Sequence, residues 1–258
     1  MPKTFYFICG FFGLAVATGA FAQSKTDGQW RGSGGAALSA TSGNTTTSSL
    51  QLNADGARAT ATDKVSLYGL VNYSRATVAG TPQTTSNKWA LGGQYDRNLS
   101  QRLFAFGKLG LESDKLLQLS HRASMAGGLG YKVIDTAGLA FNLYGGLGYT
   151  SDKYSVVQTI GGKTDTGFSR VSLYLAEEST HRFSSTTSFR QRLDLYPGLT
   201  GDKAFLAKFN AGLSVAMSST LSLSVGLTDT YNSKPPAGLK ASDLGLFTGI
   251  NVKFGAAP

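Results

Sequence analysis

In the run Leu244-Gly245-Leu246-Phe247-Thr248-Gly249-Ile250-Asn251-Val252-Lys253-Phe254, apolar side chains return at every second position and an aromatic closes the series. Successive residues of a strand point to opposite faces, so this period predicts one greasy and one mixed face. The same alternation divides residues 23–258 into twelve candidate strands with no helical stretch between them. The first pair places Trp30, Gly32, Gly34, Ala36 and Leu38, then Leu50, Leu52 and Ala54, on the apolar face. Ser42-Gly43-Asn44-Thr45 joins them, and Gly-Asn supplies the positive φ of a tight hairpin.

Leu67, Val71 and Tyr73, then Trp89, Leu91 and Tyr95, continue the pattern in the third and fourth strands. The fifth offers two faces, Leu103-Ala105-Leu109-Leu111 and Phe104-Phe106-Lys108-Glu112, of which the charged one is read as inward. Met125 and Leu129, Leu143 and Leu147, Val171 and Leu173, Phe189 and Leu193, Phe209 and Leu213, and Leu223 and Val225 mark the sixth to eleventh.

The connections alternate in length, as a barrel with both ends in the periplasm requires. Those around Ala61, Leu99, Thr136, Ser179-Thr180 and Ser218 read as short inner turns. Those around Gly80, Asp114-Lys115, Gly161-Gly162, Gly198 and Pro235-Pro236 read as longer outer loops. Rings favour membrane interfaces, and two girdles are predicted. Tyr73, Trp89, Tyr149, Phe168, Phe205 and Tyr231 form the outer one, and Trp30, Phe104, Tyr131, Phe141, Phe183 and Phe254 the inner. A soluble secreted β-sandwich with aromatics in its core is the alternative.

Residues 1–22 read as a cleaved secretory signal: Lys3 supplies the positive end, residues 5–16 an apolar stretch, and Ala20-Phe21-Ala22 the cleavage box. The apolar stretch is short against the roughly 20 residues a spanning helix needs. Cys9, the single cysteine, would leave with the signal, so no disulfide framework is expected. The formal charge of +9 is carried by cations dispersed singly along the strands, which argues against nucleic acid as a partner. The expectation is an all-β fold, a single closed antiparallel transmembrane barrel of about twelve strands in the outer membrane of a Gram-negative bacterium. Only closure satisfies every backbone group of a strand in lipid.

Trp30-x-Gly, the Ser42-Gly43-Asn44-Thr45 turn, Tyr95-Asp96-Arg97 before Leu103-Phe104, and the paired runs Gly127-Gly128-Leu129-Gly130-Tyr131 and Gly145-Gly146-Leu147-Gly148-Tyr149 carry a resemblance. The chain resembles the salt-induced outer-membrane proteins, a family built on domain of unknown function 481. The resemblance implies an outer-membrane barrel and brings no catalytic residues. The C-terminal strand also looks like the signal read by the barrel-assembly machinery, with Gly249, Val252 and Phe254 at its spacing. Phe247 at a usually polar position, and Gly255-Ala256-Ala257-Pro258 after the aromatic, depart from that signal.

Pleat parity turns Lys64, Lys108, Arg122, Lys132, Arg170, Arg190, Arg192, Lys208 and Lys253 inward, with Glu112, Glu178 and Asp194 among them. A net basic lumen of this kind suits a narrow pore favouring anions. Structural pairing, for instance of Arg192 with Glu178, is the rival account and suits an envelope-integrity role. An outer-membrane lipolytic enzyme is a further alternative, with His121 beside Ser120 or Ser124 near the outer rim and His181 in an inner turn. His121 and Ser124 leave opposite faces of one strand, which opposes a nucleophile and base pair. Asp114, Asp152, Asp165, Asp202 and Asp243 read as scattered, solvated outer-loop acids, so no metal site or cofactor is expected. Lys153 and Lys163 could meet lipopolysaccharide phosphates.

Overall fold

The computed structural model describes residues 25–41, 46–78, 81–236 and 239–255. The signal segment with Cys9, the Ser42-Gly43-Asn44-Thr45 turn, Gly80 and the final Ala256-Ala257-Pro258 lie outside the described residues. Twelve strands run in chain order: β1 (Asp27–Thr41), β2 (Thr46–Thr60), β3 (Asp63–Val78), β4 (Thr81–Asn98), β5 (Leu103–Asp114) and β6 (Leu119–Asp135). They continue as β7 (Leu139–Ile160), β8 (Lys163–Arg182), β9 (Thr187–Pro197), β10 (Phe205–Ala216), β11 (Leu221–Asn232) and β12 (Ser242–Gly255). Each pairs antiparallel with its chain neighbours, and β12 returns to β1 through Arg31↔Gly255 to Ala36↔Ile250, closing the barrel.

The apolar parity faces outward on all twelve strands. Leu109 is 64% and Leu147 58% exposed, whereas Phe104 and Tyr174 on the opposite parity are 3% and 0% exposed. The barrel is therefore inside out relative to a soluble sandwich: its Leu and Val residues line the surface and its charges line the interior.

Both β1 and β12 have their chain-terminal ends at one end of the barrel, here the terminal end. It carries tight turns such as Ala61-Thr62, where the Asn98 amide donates to the Thr62 carbonyl at 2.8 Å. The opposite, or far, end differs from the expected pattern of open loops. β7 and β8 run on to Ile160 and Lys163 and reverse over Gly161 and Gly162 alone, both at positive φ. β3 and β4 likewise pair out to Val78↔Thr81. Much of the length expected in loops is thus strand projecting past the barrel. The connection expected at Ser179-Thr180 also lies inside a strand, because β8 pairs with β7 as far as Leu139↔His181, so His181 belongs to β8 rather than to a turn.

Two girdle assignments are corrected. Phe168 is buried against Tyr154, ring centroids 5.9 Å apart, in a cluster with Leu119 and Ile160 at the far end. Phe104 points into the barrel. Trp30 and Phe254 at the terminal end, and Tyr73, Trp89, Tyr149 and Tyr231 at the far end, do face outward.

Candidate functional site

The interior is crossed midway by a septum of charged and aromatic side chains. Even-numbered residues of β4 to β10 point inward, so β4 and β5 on one wall face β9 and β10 on the other. Arg192 on β9 occupies the middle. Its Nη1 donates to Glu178 Oε2 on β8 at 2.5 Å, its Nε to Asp194 Oδ2 at 3.1 Å, and its Nη2 to Tyr174 Oη at 2.8 Å and to Gln94 Oε1 on β4 at 3.1 Å. Lys108 on β5 reaches across to Asp194 at 3.0 Å, and the Tyr174 hydroxyl donates to the same carboxylate. Arg190 adds a second cation to Glu178 at 3.1 Å.

Aromatic rings fill the space between these ion pairs. Tyr144 meets Phe104 and Phe106 edge-on at 5.4 Å, Phe106 meets Tyr174 at 5.3 Å, and Tyr174 meets Tyr196 at 5.1 Å. The Arg192 guanidinium lies 4.9 Å from the centre of the Tyr144 ring, where the ring quadrupole attracts it. The neighbour of Phe104 across the β5 and β6 ladder is glycine by necessity: a Cβ on Gly130 would stand 2.1 Å from that ring. Gly128 and Gly146, adjacent in register, bring two strand backbones so close that a Cβ on Gly128 would sit 2.1 Å from the Gly145 oxygen.

A second charged layer lies toward the far end. Arg122 holds Asp152 through two bonds of 2.5 and 2.8 Å and Glu112 at 2.8 Å, while Lys208 crosses from β10 to Glu112 at 3.0 Å. Arg170 is held by Asp202 at 3.1 Å and lies 3.8 Å from Asp152. Asp152 and Asp202 are thus buried ion-pair partners, not the solvated loop acids that their positions beside turns suggested. Beside both layers, the wall of β1, β2, β11 and β12 carries small polar groups bonded to one another. Ser33 donates to Asp55 at 2.7 Å, and Asn251 to Ser224 at 2.6 Å.

Two cavities flank the septum. The one at the terminal end, about 300 Å³, is bordered by Lys64, Lys132, Asp96, Asn142 and Glu178 with Phe104 and Tyr144 as its floor. The one at the far end, about 120 Å³, lies among Lys88, Arg122, Lys208, Leu206, Leu239 and Asp243. Lys253 is half-buried near the end of β12; Val252 and Phe254 are exposed on its outer face, and Gly249 is half-buried on the other parity.

The two histidines are apart. His121 is exposed at the far end of β6, and the nearby Ser124 hydroxyl donates to the Gly110 carbonyl at 3.4 Å. His181, at the terminal end, stacks against Phe183 with centroids 6.0 Å apart. Among the described residues no group of three or more His, Cys, Asp or Glu side chains gathers as metal ligands. The residues that strand parity alone left unremarked are the fillers: Tyr144, Tyr174, Tyr196, Gln94 and Lys88. Their signal was present in the inward positions of strands otherwise dominated by glycine and small polar residues.

A family model described as a protein of unknown function, DUF481, matches residues 34–254, nearly the whole barrel. The chain belongs to this family. No curated protein matches it significantly. Among solved structures, the chain is similar to an outer-membrane channel from Pseudomonas putida F1, at 12% identity and a TM-score of 0.47 over 89% of this chain and 96% of that one. It is also similar to the NanC porin, at 11% identity and 0.44 over 88% and 99%, and to the translocator domain of the autotransporter NalP from Neisseria meningitidis, at 11% and 0.44 over 88% and 86%.

Proposed function

We propose that this protein is a non-enzymatic barrel of the Gram-negative outer membrane that serves as a sealed wall element of the envelope, its bore shut by the septum. The membrane reading rests on the outward Leu, Val and Ile side chains, which water would not tolerate over so large a contiguous surface. Aromatic rings at both ends of that surface and backbone pairing closed around the wall support it.

The observation that carries the sealed reading is that two ion pairs and one charge-assisted hydrogen bond span the bore. Lys108 to Asp194, Arg192 to Gln94 and Lys208 to Glu112 each join strands on opposite walls. A solute passing along the axis would have to part them. The basic residues that would bias an open pore toward anions are spent here on carboxylates of the same lumen. Gly249, Val252 and Phe254 serve the barrel-assembly machinery during insertion on this reading, and exposed Lys153 and Lys163 face lipopolysaccharide.

A second reading, a gated narrow pore with the septum as its gate, is favoured by the cavities on either side. Planar-bilayer recording separates the two. Purified wild-type protein is expected to be silent, and the Lys108→Ala/Arg192→Ala double variant to conduct. Steady anion-selective current from the wild type would overturn the sealed reading in favour of the pore.

A further inference from the structure

The long hairpin of β7 and β8 does not stand upright on the far end. A straight strand from Gly161 to Ser169 would measure about 26 Å. Yet both of those residues meet the same short segment, residues 198–204 between β9 and β10. A Cβ on Gly161 would lie 3.2 Å from Asp202 Cβ, and a Cβ on the adjoining Gly201 would lie 2.3 Å from the Ser169 oxygen. The hairpin therefore folds back on itself beyond the belt. The fold is inward: Ile160, beside the tip, is 4% exposed and packs with Leu119, Tyr154 and Phe168, of which Tyr154 and Phe168 lie on the lumen-facing parity of β7 and β8.

The bend has an identifiable origin in the ladder. Lys153 pairs with Gly167 and Gln158 with Asp165, which sets the four residues Tyr154 to Val157 against Thr166 alone. Extra residues on one strand interrupt the ladder and bend it. Past this bulge the hairpin has no strand beside it. The β6 and β7 ladder ends at Leu119↔Tyr154, followed by one bond from the Ser155 amide to the Gln118 carbonyl at 2.8 Å. On the other edge, the amides of Leu199 and Thr200 donate to the Val171 carbonyl at 2.8 and 3.2 Å. Among the described residues, no backbone bond ties residues 156–168 to anything outside the hairpin.

The seat under the tip, in contrast, is held from several sides. Asp202 accepts at its carboxylate from Arg170 at 3.1 Å and from the Ala204 amide at 3.0 Å, and its carbonyl accepts from Lys234 in the connection between β11 and β12. Gly161 rests on this residue by packing. Beneath lie the side chains of Asp152, Arg170 and Asp202, each 5% exposed or less.

We propose that residues 154–168 form a hinged lid on the far mouth, which swings on the bulge at Tyr154 to Val157. It closes by seating Ile160 on Leu119, Tyr154 and Phe168, and Gly161 on Asp202. Closed, it keeps outside water from the Asp152, Arg170 and Asp202 layer. Opening gives up the burial of Ile160 and the bond from Gln158 Nε2 to Gln118 Oε1 at 2.7 Å, and leaves the ladders of the wall intact. Segments with few such ties open locally, ahead of global unfolding. The lid is independent of the septum, so it stands whether the bore is sealed or conducting.

The test uses full-length protein in detergent micelles, with the single cysteine Cys9 changed to serine and nitroxide labels at Thr159→Cys on the tip and Leu199→Cys beside its seat, both exposed positions. Pulsed electron paramagnetic resonance reads the distance between them. With Ile160 in place, a short distance should dominate, with a minor longer one. Ile160→Asp, which sets a carboxylate on the apolar seat, should make the longer distance dominant. Ile160→Ala should raise the open-to-closed ratio about tenfold or more. Heat-modifiable gel mobility shows which barrels are folded, and the alanine variant carries the test if the aspartate variant is not. One short distance, unchanged by either substitution, overturns the lid and makes the hairpin a rigid cap. So does release of the tip that speeds amide exchange throughout the barrel, because the hairpin would then belong to the global folding unit.

Discussion

Asp194 is the residue on which the septum converges, since it accepts from Lys108, Arg192 and Tyr174 at once while itself 3% exposed. Removing one partner from a buried, hydrogen-bonded charge set leaves the others desolvated and unpaired. Asp194→Ala is therefore expected to destabilise the barrel by roughly 3–5 kcal/mol, read as a lower urea midpoint in detergent micelles. An unchanged midpoint would mean that water already reaches Lys108 and Arg192. Parity alone placed Asp194 on the inward face, because Leu193 and Leu195 flank it. It could not reveal the partners: Lys108 is 86 residues away, and the Arg192 partner Gln94 is 98 away. Those pairings depend on how the closed wall brings opposite strands together, which no local pattern records.

The element whose extent alternation misjudged most is the β7 and β8 hairpin, 22 and 20 residues long. A transmembrane strand needs only about 9–11 residues, so half of each strand projects beyond the apolar belt. There neither face meets lipid, and the period-2 signal disappears: Val156 and Val157 are consecutive, and Thr164, Asp165 and Thr166 are polar on both parities. The register slip between Lys153 and Gln158 disturbs the pattern further. Within the belt, where one face must be apolar, the same reasoning located every strand. What holds the projection is its turn, with Gly161 at φ +60° and Gly162 at +83°. A β-branched side chain in that region is strained by about 1–2 kcal/mol. Gly162→Val should therefore loosen the hairpin without unfolding the barrel, and amide exchange should speed up across residues 153–169 while β1 to β5 keep their protection. Acceleration throughout the barrel would show that the projection is part of the global folding unit.

For the whole molecule the asymmetry of the two ends carries the argument. The terminal end is trimmed to turns held by short local bonds, as where Ser218 Oγ accepts from the amides of Thr220 and Leu221 at 3.2 and 3.0 Å. The far end carries the long hairpin, the segment of residues 198–204 that bonds to β8, and Pro235, Pro236, Leu239, Lys240 and Ala241, which border the far cavity. A barrel inserted from the periplasm must carry its far-end polar mass across the bilayer once, and tight turns on the inserting side leave nothing bulky behind; outer-membrane barrels accordingly keep short turns inside and longer segments outside. Both strand termini are thereby expected on the periplasmic face. Single substitutions Ala61→Cys at the terminal end and Leu116→Cys at the far end, both exposed positions, report this directly with a membrane-impermeant maleimide on intact cells. Leu116→Cys should label at once, and Ala61→Cys only after the outer membrane is permeabilised. The reverse order would invert the barrel, putting the projecting hairpin in the periplasm.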